Sequence, residues 1–180
     1  MRRDGKYIIR GKPGSGKSTA IMLIRQALER RGVKVGGIRT PELREVGRRV
    51  GFGVEDLSTG KREIFASVNF TGGPRVSKYV VKVELFEEIA IPALERAMKE
   101  CDIVLIDEIG KMELFSERFI EVVRGLWNSN VPAVGTAPVS KLPFVEEICS
   151  RSEVIWIERG KAEEIAGRLV REILSYLDIL

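Results

Sequence analysis

Two short stretches hold residues of the types and spacing that do chemistry. The first is Gly11-Lys12-Pro13-Gly14-Ser15-Gly16-Lys17-Ser18, which fits the pattern G-x-x-x-x-G-K-[ST] between a short apolar run and a helical pattern. Consecutive backbone N–H groups wrap a polyphosphate only along a tight, partly left-handed path, which glycine takes without a Cβ clash. Lys17 brings a fixed positive charge to the β- and γ-phosphates, Ser18 brings a hydroxyl for Mg2+, and the helix that starts here adds its N-terminal partial charge. The stretch reads as a P-loop, with Gly11, Lys12, Pro13, Gly14, Ser15, Gly16, Lys17, Ser18 and Thr19 as the nucleotide-binding set.

The second stretch is Ile103-Val104-Leu105-Ile106-Asp107-Glu108-Ile109-Gly110. Its apolar run reads as a buried parallel strand with the carboxylates at its C-terminal end, where open α/β sheets bind ligands. Asp107 is placed to join Ser18 in holding the Mg2+ shell. Glu108, one residue on, is placed to polarise an attacking water, which makes Lys17 and Glu108 the catalytic candidates. Glu113 lies close enough in sequence to compete with Glu108 for the role of base, and Lys111 to neutralise either one.

The elements that must position these residues follow from periodicity. Lys6 to Arg10 reads as the strand that feeds the glycine stretch. Thr19 to Arg31, with Ile21, Leu23, Ile24, Ala27 and Leu28 at helical spacing before Gly32, reads as the helix that leaves it. Val33 to Arg39 is a second strand stopped by Pro41, so the start of the chain is a βαβ unit with a parallel sheet.

Residues 42–84 break the alternation. Gly51 to Leu57 and Arg62 to Val68 are strand patterns joined by a Ser58-Thr59-Gly60-Lys61 turn, and Lys78 to Leu85 alternates as a third strand. They predict an antiparallel β insertion on the α/β core of a single domain spanning 1–180. Between these strands, Thr71 to Lys78 is a glycine-containing basic loop, either a solvated turn or a lid that carries Arg75 or Lys78 to the γ-phosphate.

Leu85 to Glu100 has helical periodicity, with a kink or restart expected at Pro92. Ser116 caps a helix over Glu117 to Asn128 whose stripe of Phe119, Ile120, Val123 and Leu126 takes Trp127 into the core. Val131 to Thr136 is a further buried strand, with the Thr136 hydroxyl expected beside the phosphates. Glu153 to Ile157 is the last strand, and Ala162 to Leu177 an amphipathic terminal helix. Glu158-Arg159-Gly160-Lys161 lies between them on the ligand edge, so Arg159 or Lys161 either contacts the base or a phosphate or begins a helix in solvent. Arg75 and Arg159 are the candidates for an arginine finger.

Composition narrows the chemistry. The 180 residues, 44% hydrophobic, suffice for one substantial core. There is no histidine, and Cys101 and Cys149 lack metal-ligand spacing; a zinc site is not expected, and the cysteines read as buried free thiols. Catalysis then falls to carboxylates, lysine, arginine or metal-bound water. The formal charge of +4 comes from 30 basic and 26 acidic residues spread along the chain, which suits a phosphate-bearing ligand and gives little support to a nucleic-acid partner. Nothing has the length of a membrane span, and Met1 to Gly5 leads into the first strand without a signal-peptide core; a cytoplasmic location is expected. Abundant charge with one glutamine is compatible with a thermophile.

Asp107 to Gly110 satisfies two patterns, Asp-Glu after a buried strand and a formal D-x-x-G. No N-K-x-D occurs, so the guanine-reading element of a regulatory GTPase is missing. The insertion separates the P-loop unit from the acidic strand and leaves room for an extra central strand, which favours the Asp-Glu class with a glutamate-activated water, and hence hydrolysis.

Gly11 to Thr19, the run Asp107-Glu108-Ile109-Gly110-Lys111-Met112-Glu113-Leu114 and the loop Gly73-Pro74-Arg75-Val76-Ser77-Lys78-Tyr79 together resemble the small nucleoside-triphosphatase family that includes the human cancer-related nucleoside triphosphatase and its thermophile relatives. The resemblance implies a Mg2+-dependent P-loop NTPase of broad nucleotide range with a RecA-like, mainly parallel sheet flanked by helices. Ser77 departs from the glycine expected in that loop. Two other activities compete. A nucleotide or small-molecule kinase would use Arg44, Arg48, Arg49 or Arg75 in a lid, and a nucleic-acid-linked regulatory ATPase would show salt-dependent binding.

Overall fold

In the computed structural model, which describes residues 5–179, a ten-stranded sheet is flanked by helices on both faces. The reading of Met1 to Asp4 as a short lead-in falls outside the described residues. The elements run β1 (Lys6–Arg10), α1 (Lys17–Arg30), β2 (Val35–Arg39), β3 (Glu42–Glu45), β4 (Arg48–Asp56), β5 (Arg62–Ser67), β6 (Arg75–Val76) and β7 (Tyr79–Val81). They continue with α2 (Val83–Glu100), β8 (Ile103–Asp107), α3 (Glu117–Trp127), β9 (Ala133–Ala137), α4 (Pro143–Cys149), β10 (Glu153–Trp156) and α5 (Ala162–Tyr176), with a 3-10 turn over Glu113–Phe115.

The centre of the sheet is parallel, in the order β10-β1-β9-β8-β2. An extra strand does separate the glycine stretch from the acidic one, but it is β9, supplied by chain that follows β8. The insertion, to which sequence reasoning credited that strand, joins the sheet outside β2. On the face of the sheet at β9 the packing is tight at Gly135, where a Cβ would lie 3.0 Å from Ile109 Cδ1 and 3.1 Å from Ile8 Cδ1.

Strands buried on both faces carry apolar residues at every position, and alternate residues serve different layers. Ile103 and Leu105 of β8 join Ile9, Ile24, Leu28, Leu169 and Ile173 beneath α1 and α5, whereas Val104 and Ile106 join Phe86, Leu94, Phe119 and Val123 beneath α2 and α3. Phe65, Phe86 and Phe119 form a ring series with centroids 5.0 and 5.2 Å apart. Such pairs add about 0.5–1.5 kcal/mol each beyond the apolar area they bury. Trp127 is buried in this layer, as its register predicts; Cys149 is buried and Cys101 half-buried, both as free thiols. No helix among the described residues is long and apolar enough to cross a membrane.

The 42–84 region extends the sheet antiparallel in the order β4-β5-β7-β6, with β3 paired to β4. Because Asp56 pairs with Ile38 and Glu55 with Arg39, the rest of β4 runs past the carboxyl end of β2, so the β3–β4 hairpin rises above the ligand edge of the sheet. Several boundaries differ from expectation. The third strand of the insertion ends at Val81, and Val83 to Leu85 belong to α2, captured by the helical spacing of Phe86, Ile89, Ala90, Ala93 and Leu94. That helix runs unbroken through Pro92. β3, β6 and α4 carried too few residues to stand out as patterns.

Candidate active site

β1 delivers the chain to Gly11 against the end of β10. A Cβ on Gly11 would fall 2.6 Å from Ser15 Oγ and 2.7 Å from Ile157 Cγ2, so only glycine fits at this crossing. Gly14 (φ 76°) and Gly16 (φ 102°) take the left-handed backbone that the spacing predicts. α1 then begins at Lys17 with no side-chain cap and no acidic residue in its first turn, which leaves its first N–H groups and its dipole uncompensated by the protein. The Ser15 hydroxyl is buried in the middle of this loop and has no hydrogen-bond partner among the described residues. Lys17 Nζ donates to the carbonyls of Gly11 (2.5 Å) and Lys12 (3.3 Å), which holds the ammonium across the loop. Ser18 and Thr19 are exposed on the first turn.

The acidic half is built from β8, β9 and the end of β2. Asp107 is buried. Its Oδ1 accepts the Thr136 hydroxyl at 2.6 Å, its carbonyl accepts the Thr40 amide, also at 2.6 Å, and no hydrogen bond among the described residues engages Oδ2. The Thr136 hydroxyl gives its proton to Asp107 and so braces that carboxylate from the neighbouring strand.

Glu108 is half-buried at the exit of β8. Burial pushes its carboxyl above the usual range, the Lys17 charge opposes that rise, and Asp107 adds to it. Glu113 is buried and its carboxyl lies well above the usual range, first through burial and then through the charge of Glu108, although its Oε1 accepts the Gly110 amide at 3.0 Å. Both carboxylates converge over Gly110: a Cβ there would meet Glu108 Oε2 and Glu113 Oε1 at 3.0 Å each. The glycine that completes the formal D-x-x-G thus makes room for two carboxyl groups.

The other basic candidates are not gathered here. Arg75 is exposed on β6, seven strand positions from β1 and so roughly 30 Å away along the sheet. It pairs in a two-residue ladder with β7, closed by Ser77 at φ 54°, a conformation that favours the glycine expected there. Arg44 and Arg49 bind Glu42 within their own hairpin, and Lys78 stacks on Tyr79. Arg159 and Lys161, both exposed, stand in the loop after β10 that packs on Gly11.

Sequence reasoning missed Arg10. This buried guanidinium donates to the Pro138 carbonyl (2.8 Å), the Ser140 carbonyl (3.0 Å) and Glu146 (2.6 Å), and stacks over Trp156. An arginine at the end of a strand carries no local signal of such a role.

The chain is 58% identical over 179 residues to the nucleoside-triphosphatase THEP1 of Korarchaeum cryptofilum, covering 99% of this chain and 92% of the relative. It is 41% identical to the protein of the same name from a Thermotoga species, covering 96% and 95%. Among solved structures, the crystal structure of THEP1 from the hyperthermophile Aquifex aeolicus superposes with a TM-score of 0.78 at 39% identity, covering 96% of this chain and 99% of that one. The solution structure of a human cancer-related nucleoside triphosphatase gives 0.81 at 36% identity, covering 94% and 97%. A family model described as NTPase matches residues 6–173, and with these relatives it shows that the chain belongs to this family of P-loop nucleoside-triphosphatases.

Proposed function

We propose that the chain hydrolyses ATP, GTP, CTP and UTP to the diphosphate and phosphate in a Mg2+-dependent reaction, and that it does so in the cytoplasm. The observation that carries the catalytic assignment is the place of Glu108, at the ligand edge beside Asp107 and under the charge of Lys17. The backbone of Gly11 to Ser18 binds the β- and γ-phosphates, and the buried Ser15 hydroxyl and uncapped start of α1 supply donors that the fold itself leaves unused. Lys17 stabilises the charge that grows on the leaving phosphate.

The donor set fits Mg2+, an ion that takes oxygen ligands and is commonly held by one or two protein groups plus phosphates and water. Ser18 offers a hydroxyl, and Asp107 a carboxylate with one oxygen already fixed by Thr136. When bound, the ion supplies charge neutralisation across the β- and γ-phosphate oxygens. Glu108 accepts a proton from the attacking water. Glu113, buried behind it with its carboxyl raised, is poorly placed to reach that water and holds the Gly110 turn instead.

Phosphate release from the four triphosphates with Mg2+ tests the reading. Lys17→Ala is expected to lose binding and activity, whereas Glu108→Gln binds nucleotide but turns over at least about 100-fold more slowly, the usual size of a general-base effect. Wild-type turnover by Glu108→Gln would overturn the base assignment. Transfer of phosphate to an added metabolite, with none released to water, would make the enzyme a kinase.

A further inference from the structure

We infer that Trp156 is the stacking platform for the nucleobase. The inference rests on the proposed seating of the phosphates at Gly11 to Ser18 and follows from direction. The reacting phosphate must face Asp107 and Glu108, which end β8, two positions from β1 on one side. The nucleoside then leaves toward the other side of β1, where β10 is the neighbour and the last strand.

Trp156 ends that strand. It pairs with Arg10, the residue immediately before Gly11, so its ring stands at the level where the loop begins. Ile155 and Ile157 are buried beneath α1 and α5, and the side chain between them points to the other face, where it is 59% exposed. The only other tryptophan, Trp127, is 3% exposed and donates its indole N–H to Ser152.

The ring is also held. The Arg10 guanidinium lies 5.1 Å from its centroid and is itself fixed by the Pro138 and Ser140 carbonyls and by Glu146. One buried cation thus orients both the indole and the loop after β9, in which Val139 is 41% exposed. An aromatic plate with a rigid backing binds a base by its π-face, and every base has one. Such a site suits an enzyme that accepts several triphosphates. The alternative role for an exposed aromatic here is to cover a sheet edge.

Trp156→Ala and Trp156→Phe are compared with wild type by steady-state kinetics, with Mg-tripolyphosphate as a base-free competitor, and nucleotide binding is followed by wild-type tryptophan fluorescence. The expected result is a KM for all four triphosphates raised about tenfold or more in the alanine variant, as loss of a base–aromatic stack predicts. kcat should change far less, the inhibition constant of tripolyphosphate should hold, and phenylalanine should restore most of the KM. Wild-type fluorescence should change on adding ATP and not on adding tripolyphosphate. An unchanged KM in Trp156→Ala, or an equal loss of tripolyphosphate binding, overturns the platform and leaves the edge cover. Failure of the wild type to release phosphate would sink the hydrolase reading instead, and the fluorescence titration would still decide Trp156.

Discussion

The brace from Thr136 to Asp107 makes a sharp prediction, because it joins two buried side chains from adjacent strands and involves a charged acceptor. Thr136 is fully buried and Asp107 is 8% exposed, so water has little access to replace the 2.6 Å hydrogen bond. Thr136→Val keeps the shape of the side chain and removes the donor. A hydrogen bond to a charged group contributes about 1.5–3 kcal/mol, and at about 1.4 kcal/mol per decade the loss corresponds to about 10–100-fold in the function that the carboxylate serves. Residues that orient a metal ligand show losses of about the same size, 10–100-fold, when removed. The assay is phosphate release at saturating nucleotide as Mg2+ is titrated. Half-saturating Mg2+ should rise about 10–100-fold in Thr136→Val and stay close to wild type in Thr136→Ser, which keeps the hydroxyl. Denaturant unfolding run alongside should show a loss of about 1–3 kcal/mol for the valine variant. A folded Thr136→Val enzyme with wild-type Mg2+ dependence would refute both the brace and the metal role of Asp107.

Gly11→Ala should abolish measurable nucleotide binding and cost about 1–3 kcal/mol of stability, the usual penalty of overpacking, since the new Cβ meets Ser15 Oγ, Ile157 Cγ2 and the Ile157 carbonyl at 2.6, 2.7 and 3.0 Å; equilibrium unfolding and nucleotide titration check it. Acid stability should depend on the insertion. Burial acts to raise Glu55 and Asp56, but Arg39 and Arg62 on Glu55, and Arg96 with the Ser58 amide on Asp56, outweigh it and hold both below the usual carboxylate range. Carboxyls depressed in the folded state stabilise it fully above the unfolded values near pH 4 and lose that contribution as pH falls through the folded values. The contribution of these two carboxyls to the unfolding free energy should therefore be constant above about pH 5 and be lost below about pH 4, and Arg96→Met should flatten that fall; an identical acid limb of the pH profile in the variant would count against the Arg96–Asp56 pair.

The glycine stretch and the β8 strand were legible because their information is local. A phosphate cradle needs contiguous N–H groups and left-handed glycines, and a doubly buried strand needs apolar residues at every position, so Gly14, Gly16 and the run Ile103 to Ile106 announce themselves. The same holds for Ser116, whose hydroxyl caps α3 by accepting the Phe119 amide at 3.0 Å. Boundaries were less legible where two periods overlapped: Val81 and Val83 both fit an alternating strand, and only the packing of Phe86 and Ile89 against the core assigned Val83 to a helix.

By itself, then, the sequence determined the chemistry available, a P-loop lysine and hydroxyl with an Asp-Glu pair, and the class of fold that carries them. Tertiary structure decided which groups meet. It placed β9 between β1 and β8 and so set Thr136 against Asp107, folded Glu113 back over Gly110 beside Glu108, stacked Arg10 on Trp156, and left Arg75 on the far edge of the sheet. These pairings join residues up to 146 positions apart (Arg10 and Trp156) through strand order. Strand order is fixed by how the two helical layers bury both faces of the sheet together, a property of the whole chain that no single stretch encodes.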